Sequence, residues 1–185
     1  MSQESVMDAL GTTFGGTLQT DPDGEQRRYT GGPIPVLGTI FIGFPEHYTA
    51  ESFFEGQGKG AKFGAIAVIT LEEPSEQRMS IGPDGWWRVA HPVTMNIYHV
   101  GNGKHAEDAR KNLRALQTSL RNLLRADTTL GRRVFSCGEA DPQSTGAAGG
   151  GHHFKTGQTA SSGGRHETRT IWELTAVEYA QGGSS

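Results

Sequence analysis

At 185 residues, with a net charge of -3 and a sequence pI near 6.2, the chain is long enough for one domain with a real core and too short for two comfortable ones. That charge balance excludes a molecule that is basic as a whole, so any contact with nucleic acid would be confined to one face. Its single cysteine, Cys137, excludes an intramolecular disulfide framework and a CxxC metal or redox pair, which fits a reduced, cytosolic compartment.

The opening MSQESVMDALG has neither a basic n-region nor an apolar h-region, and the longest apolar run, Ala65 to Leu71, falls far short of the roughly 18 residues of a membrane span. A soluble, unsecreted protein is the expectation. The first ten residues predict a short helix presenting Val6 and Leu10, stopped by Gly11, Gly15 and Gly16. Asp21 to Gly32 is turn chemistry, and the β-branched and apolar run from Val36 to Ile42 predicts the first strand. From Pro45 to Lys62 no period is sustained, which reads as an exposed loop or hairpin. Phe53 and Phe54 are unusual in a solvated loop: they pack against its own base or insert into a neighbouring subunit.

Phe63 to Leu71 is nearly continuous in apolar residues and predicts a strand buried on both faces. A short segment around Met79 and Ile81 then meets a Pro83-Asp84-Gly85 turn and the longest strand candidate, Trp86 to Val100. Val89, His91, Val93, Met95 and Ile97 share one side of it, and Thr94, Asn96 and Tyr98 the other. Pro92, in its middle, argues for an edge or a bulge.

Ala106 to Asp127 is the most strongly patterned stretch. Ala109, Leu113, Leu116, Leu120, Leu123 and Leu124 recur at steps that gather them on one side of a helix, so one leucine face must be buried. Arg110, Arg114, Arg121 and Arg125 fall together at another angle and make a basic stripe beside it. Glu107 and Asp108 in the first turn and Arg125 in the last suit the helix dipole. Val134, Phe135 and Cys137 form a short apolar segment, after which Gly138 to Arg165 offers almost nothing to bury and reads as a mobile loop that a partner would order. Thr168 to Tyr179 predicts a closing strand.

Together these elements predict one domain over residues 1–185, with long loops at 45–62 and 138–166. The expected class is α+β: a single sheet of about four to five strands, mostly antiparallel, packed against the long amphipathic helix and the short N-terminal one. Tests for chemistry return little. Gly56-Gln57-Gly58-Lys59-Gly60 lacks the hydroxyl residue, the upstream glycine and the following helix of a phosphate-binding loop. His152 and His153 have no third ligand at zinc spacing, and His91, His99, His105 and His166, with Glu107 or Glu167, follow no metal motif. Cys137 has no nucleophile-elbow glycines and no identifiable base partner. No catalytic, cofactor or metal residue is expected, and the arginine stripe is left either as a solvated face or as an interface to an acidic neighbour or to passing DNA.

The order of parts, with a leucine helix running through LLRADTTLGRRVFSCGE and a last strand TIWELTAVEY, resembles the tail terminator proteins of long-tailed bacteriophages. The most specific portion is Leu120 to Val134, and the long stretches at 45–62 and 138–166 depart from the usual pattern. The resemblance implies a lambda-like terminator with a mixed α/β fold. Such a protein forms a ring, expected to be a hexamer, that caps the tail tube, stops its polymerisation and meets the head connector or neck. It belongs to the virion tail and is assembled in the host cytoplasm. It works without an active site or cofactor, and DNA passes through the ring without sequence-specific binding. The residues expected at the subunit or tube interface are Arg110, Arg114, Arg121, Arg125, Phe53 and Phe54. Another head-tail joining protein is the alternative, ahead of a histidine-based metal enzyme or a DNA-binding regulator.

Overall fold

The computed structural model describes residues 3–20, 27–45, 50–54, 61–80, 85–102, 105–139 and 151–181. In chain order the elements are α1 (Gln3–Leu10), a π-helical turn (Gly11–Gly15), β1 (Gly16–Thr20), β2 (Arg27–Gly31), β3 (Leu37–Ile42), a 3-10 turn (Ala50–Phe54), β4 (Phe63–Leu71), β5 (Ser75–Arg78) and β6 (Trp86–Asn102). They continue with α2 (Ala106–Ala126), β7 (Ser136–Cys137), β8 (His153–Thr156), β9 (Ala160–Ser162) and β10 (Arg165–Gln181).

The expected α+β class with about four to five strands is overturned. The described residues are mostly β, with ten strands among them in one mixed sheet ordered β1-β2-β3-β4-β6-β10-β7, β5 also pairing β6, and β8 and β9 pairing β10. Among the described strands only β3 and β4 run parallel. The difference lies in short strands that carry no apolar alternation. All residues of β5 and β9 are exposed, as are four of the five of β1, so the unpaired edges of their neighbours rather than burial account for their pairing. The same physics corrects two stretches read as loops: residues 27–31 form β2, and the expected loop at 138–166 holds β8, β9 and the start of β10. The glycine run at 56–60 and Ile81, Pro83 and Asp84 lie outside the described residues.

The frame of the sheet is the 17-residue antiparallel pair β6 and β10, in register from Trp86 opposite Gln181 to Asn102 opposite Arg165. On the other side of β6, β4 pairs residues 93–101 and β5 pairs residues 87–90. Pro92 sits in the gap between them. Its carbonyl accepts from the Glu72 amide at 3.1 Å, so its missing N–H points at that gap and no ladder bond is lost.

Alternation along the central strands divides the burial between two faces. Ala65, Ala67, Ile69, Val93, Met95, Ile97, Trp172 and Leu174 join Val6 and Leu10 from the N-terminal helix, Phe14 from the π-helical turn and the leucines of α2 in the main core. At one end the helix approaches the sheet so closely that a Cβ on Gly101 would stand 2.8 Å from the Ala109 Cβ. On the opposite face a smaller cluster joins Phe41, Ile66, Val68 and Val100 to Phe53. At Gly64 an added Cβ would lie 2.1 Å from the Phe53 carbonyl oxygen, which holds the 3-10 turn hard against β4.

Candidate assembly surfaces

The arginine stripe divides in two. The flank of α2 beside β10 is covered by the arm of residues 151–162 that carries β8 and β9. Arg110 Nε donates to Thr159 Oγ1 at 3.4 Å, Gln117 donates to Thr156 at 2.9 Å, and the Arg121 guanidinium lies 4.8 Å over the Phe154 ring. Phe154 stacks on Trp172 at 5.0 Å, and the Trp172 indole N–H donates to His152 at 3.3 Å. Burial, with the positive charges of Arg121 and Arg125 beside it, lowers the pKa of His152. Arg114 and Arg125 are exposed and, like Lys111 next to them, have no ion-pair partner among the described residues.

Phe53 is buried, and Phe54 is partly buried against the same small cluster, with Tyr98. The large exposed aromatics lie elsewhere: Phe44, just past β3, is 64% exposed, and three more gather at another place. At the end of the β6–β10 pair, Trp86 is 48% exposed, and Phe135 at 63% meets Tyr179 at 38% edge-on, with ring centroids 4.8 Å apart. Met79, whose amide bonds the Trp86 carbonyl, is exposed beside them. Sequence reading missed this surface because each of these residues belongs to a run that reads as strand core. One signal was present: Trp86 opens β6, and Tyr179 stands two residues before the end of β10.

The histidines do not converge. His91 and His99 share a face of β6 but stand eight residues, roughly 26 Å, apart. His91 Nε2 lies 3.0 Å from a Glu178 carboxylate oxygen, both side chains nearly buried. His99 is buried beside the Phe63 ring, and neither ring nitrogen has a partner among the described residues; burial drives its pKa down to about 4. His105 and His166 both line an open cavity of about 640 Å³ at the start of α2, with Lys62, Asp108 and Lys111. His153 lies 2.8 Å from Glu173, which also bonds Lys155 at 2.6 Å. Among the described residues no three His, Cys, Asp or Glu side chains are placed to hold a metal ion. Burial pushes the Cys137 thiol up to about 12, which leaves it protonated and unreactive at neutral pH.

The stretch that carried the resemblance, from the end of α2 to Val134, is a tight turn built on Asp127. Its carboxylate accepts from the Thr129 amide at 3.0 Å, the Thr129 hydroxyl at 2.6 Å and the Gly131 amide at 2.6 Å. These bonds lower the Asp127 pKa, the Thr129 hydroxyl foremost, and support left-handed backbone at Leu130, Gly131 and Arg132. The turn brings Leu130 and Val134 down onto the core and leaves Arg132, Arg133 and Phe135 outside.

No helix among the described residues is long and apolar enough to cross a membrane. No protein-family model matches the chain, and no curated protein matches it either.

Proposed function

We propose that this chain is a structural protein of a bacteriophage tail, a terminator that assembles into a ring, caps the tail tube, stops its growth and offers a face to the head connector. The reading rests on the resemblance of Leu120 to Val134 and its surroundings. The observation that carries it is the exposed surface: Trp86, Phe135 and Tyr179 lie exposed at one end of the β6–β10 pair, and Arg114 and Arg125 on α2 have no ion-pair partner among the described residues. Large exposed aromatics together with exposed arginines are the residue types that anchor protein interfaces once desolvated by a partner.

A terminator acts by occupying the end of a polymer. Shape and contact area therefore suffice, and the buried histidines and cysteine are core residues. The direct test adds purified protein to tail-tube subunits during polymerisation. Shortened tubes with extra density at one end, seen by electron microscopy, are the expected result. Tubes of unchanged length without end density would refute the terminator reading, and binding to isolated connectors alone would assign the chain to the neck.

A further inference from the structure

We propose that copies of this chain join side by side through their sheet edges, β1 of one copy adding as an antiparallel strand to β8 of the next. This rests on the ring reading above and names the joint that makes the ring.

The first observation is that the sheet has two open edges. Its strands run in the order β1-β2-β3-β4-β6-β10, and β8 lies beyond β10, on the side away from β6. Among the described residues β1 pairs only with β2, and β8 only with β10. The alternation of each ladder identifies the backbone groups left over. The Gly16 amide is committed to the Thr12 carbonyl, so Gly16 and Gly31 are not a hydrogen-bonded pair and the bonds to β2 fall at Thr17 and Gln19. The N–H and C=O groups of Leu18 and Thr20 therefore point outward. On the other edge the Gly157 amide donates to the Arg169 carbonyl at 2.9 Å, one step past Thr156 opposite Thr170. Phe154 and Thr156 are then the residues of β8 whose backbone groups point away from β10.

Neither edge carries the devices that keep strands apart. β1, GTLQT, has no charge and no proline, and it pairs with β2 without a bulge. In β8, Lys155 and His153 are both drawn back over the chain's own sheet to Glu173 of β10. Leu18, at 43% exposure, is a large apolar side chain on the open edge that an added strand would cover.

The second observation is the fit between the edges. From the pairings, β1, β3, β4 and β10 run one way and β2, β6 and β8 the other. Copies set side by side in the same sense thus bring β8 of one antiparallel to β1 of the next. Placing Leu18 opposite Thr156 and Thr20 opposite Phe154 uses every outward group of both pairs. The faces also agree: Leu18 shares the helix-side face with Tyr29, and Phe154 and Thr156 share it with Trp172 and Thr170. Leu18 comes to lie diagonal to the Phe154 ring, within its reach, whereas a slip of one residue would reverse the faces. β9 is a poorer acceptor, because the register shifts by one residue between β8 and β9 and the Thr159 hydroxyl there is tied to Arg110 and Thr168. Two different edges on opposite sides make a heterologous contact, which repeats from copy to copy and closes when the rotation per copy permits.

The test uses the full-length protein. In this register Gln19 and Lys155 face each other across the joint as a non-hydrogen-bonded pair, with Cα atoms about 4.5 Å apart and side chains on the face away from the helices, so cysteines there suit a disulfide. The native Cys137 is buried and takes no part. Mild oxidation of the double variant Gln19→Cys with Lys155→Cys should give a ladder of covalent multimers on a non-reducing gel, ending at the ring number, and either single variant should give none. A second variant, Leu18→Pro, removes one outward N–H without touching the bonds to β2. Folded by circular dichroism, it should raise the dissociation constant of self-assembly, read by light scattering, on the order of tenfold. Wild type that assembles while the double variant gives no ladder, or a folded proline variant that assembles like wild type, would overturn the joint and leave the ring reading intact. Disulfide dimers from Gln19→Cys alone would show two β1 edges pairing with each other and would overturn the joint as well. A wild type that is monomeric alone and on tail tubes would overturn both.

Discussion

Lowering the pH should destabilise the protein through one buried ring. His99 titrates near 6.5 in an unfolded chain and near 4 in the fold, because burial without a hydrogen-bond partner disfavours its charged form. Between those values the unfolded chain binds a proton that the folded chain refuses, so stability falls as pH falls. Above about 6.5 the ring is neutral in both states and contributes no pH dependence. At about 1.4 kcal/mol per pH unit, the loss reaches roughly 2 kcal/mol at pH 5 and about 3 kcal/mol near pH 4. The carboxylates whose pKa values are lowered, Asp8, Asp127 and Glu173, begin to weaken the fold only as pH approaches their ordinary values near 4, so the upper part of the window belongs chiefly to His99. His152 adds a smaller loss of the same sign. Replacing His99 by Leu removes two buried nitrogens that have no partner and keeps apolar contact with Phe63, so stability at pH 7.5 should hold or rise. Urea unfolding followed by tryptophan fluorescence at pH 7.5, 6.0 and 5.0 reads both effects. A variant that loses as much stability as wild type between pH 7.5 and 5.0 would refute the assignment.

Three further substitutions probe the frame. Gly64→Ala should cost about 1–3 kcal/mol in urea unfolding, since its Cβ would meet the Phe53 backbone oxygen at 2.1 Å; an unchanged midpoint would show that the 3-10 turn is not held against β4. Tyr29→Phe deletes the 2.6 Å bond to the Asp8 carboxylate, which Arg27 also engages, and should lower stability by about 1–2 kcal/mol; equal stability of the variant would mean that this bond is not formed in solution. His91→Leu takes a hydrogen-bonding partner from the buried Glu178 and should cost on the order of 3 kcal/mol by thermal unfolding, whereas a neutral effect would mean that other groups or water satisfy the carboxylate fully.

The sequence carried the interior of this fold far better than its edges. Leucine spacing marked the helix now seen at Ala106–Ala126, and the apolar run FGAIAVITL marked β4, because both bury a continuous apolar surface whose period survives in one dimension. Thr17 to Thr20, Ser75 to Arg78 and Ala160 to Ser162 bury almost nothing, so their composition is that of loops. They are strands because β2, β6 and β10 offer them unpaired backbone groups, a property of the neighbour rather than of the segment. That is why a sheet of ten strands read as one of about four to five.

The candidate surfaces follow the same logic. Four arginines at helical spacing were visible, but that Arg110 bonds Thr159 and Arg121 covers Phe154 depends on the arm carrying β8 and β9, which read as a glycine-rich loop. Phe53 and Phe54 looked anomalous in a loop, and their cover, Ile66, Val68 and Tyr98, comes from the outward-facing positions of distant strands. Tyr179 lies opposite Arg88 on the face of the sheet away from the helices, and Phe135 precedes β7, so no local pattern records their exposure.

Self-association is the property on which the account depends most directly. Light scattering of the purified protein across a concentration series, with and without tail tubes, measures it in one experiment. The expected result is a closed multiple of the 19.9 kDa chain, formed in solution or on the tube end. A monomer under every condition, with no added mass on the tubes, would contradict it.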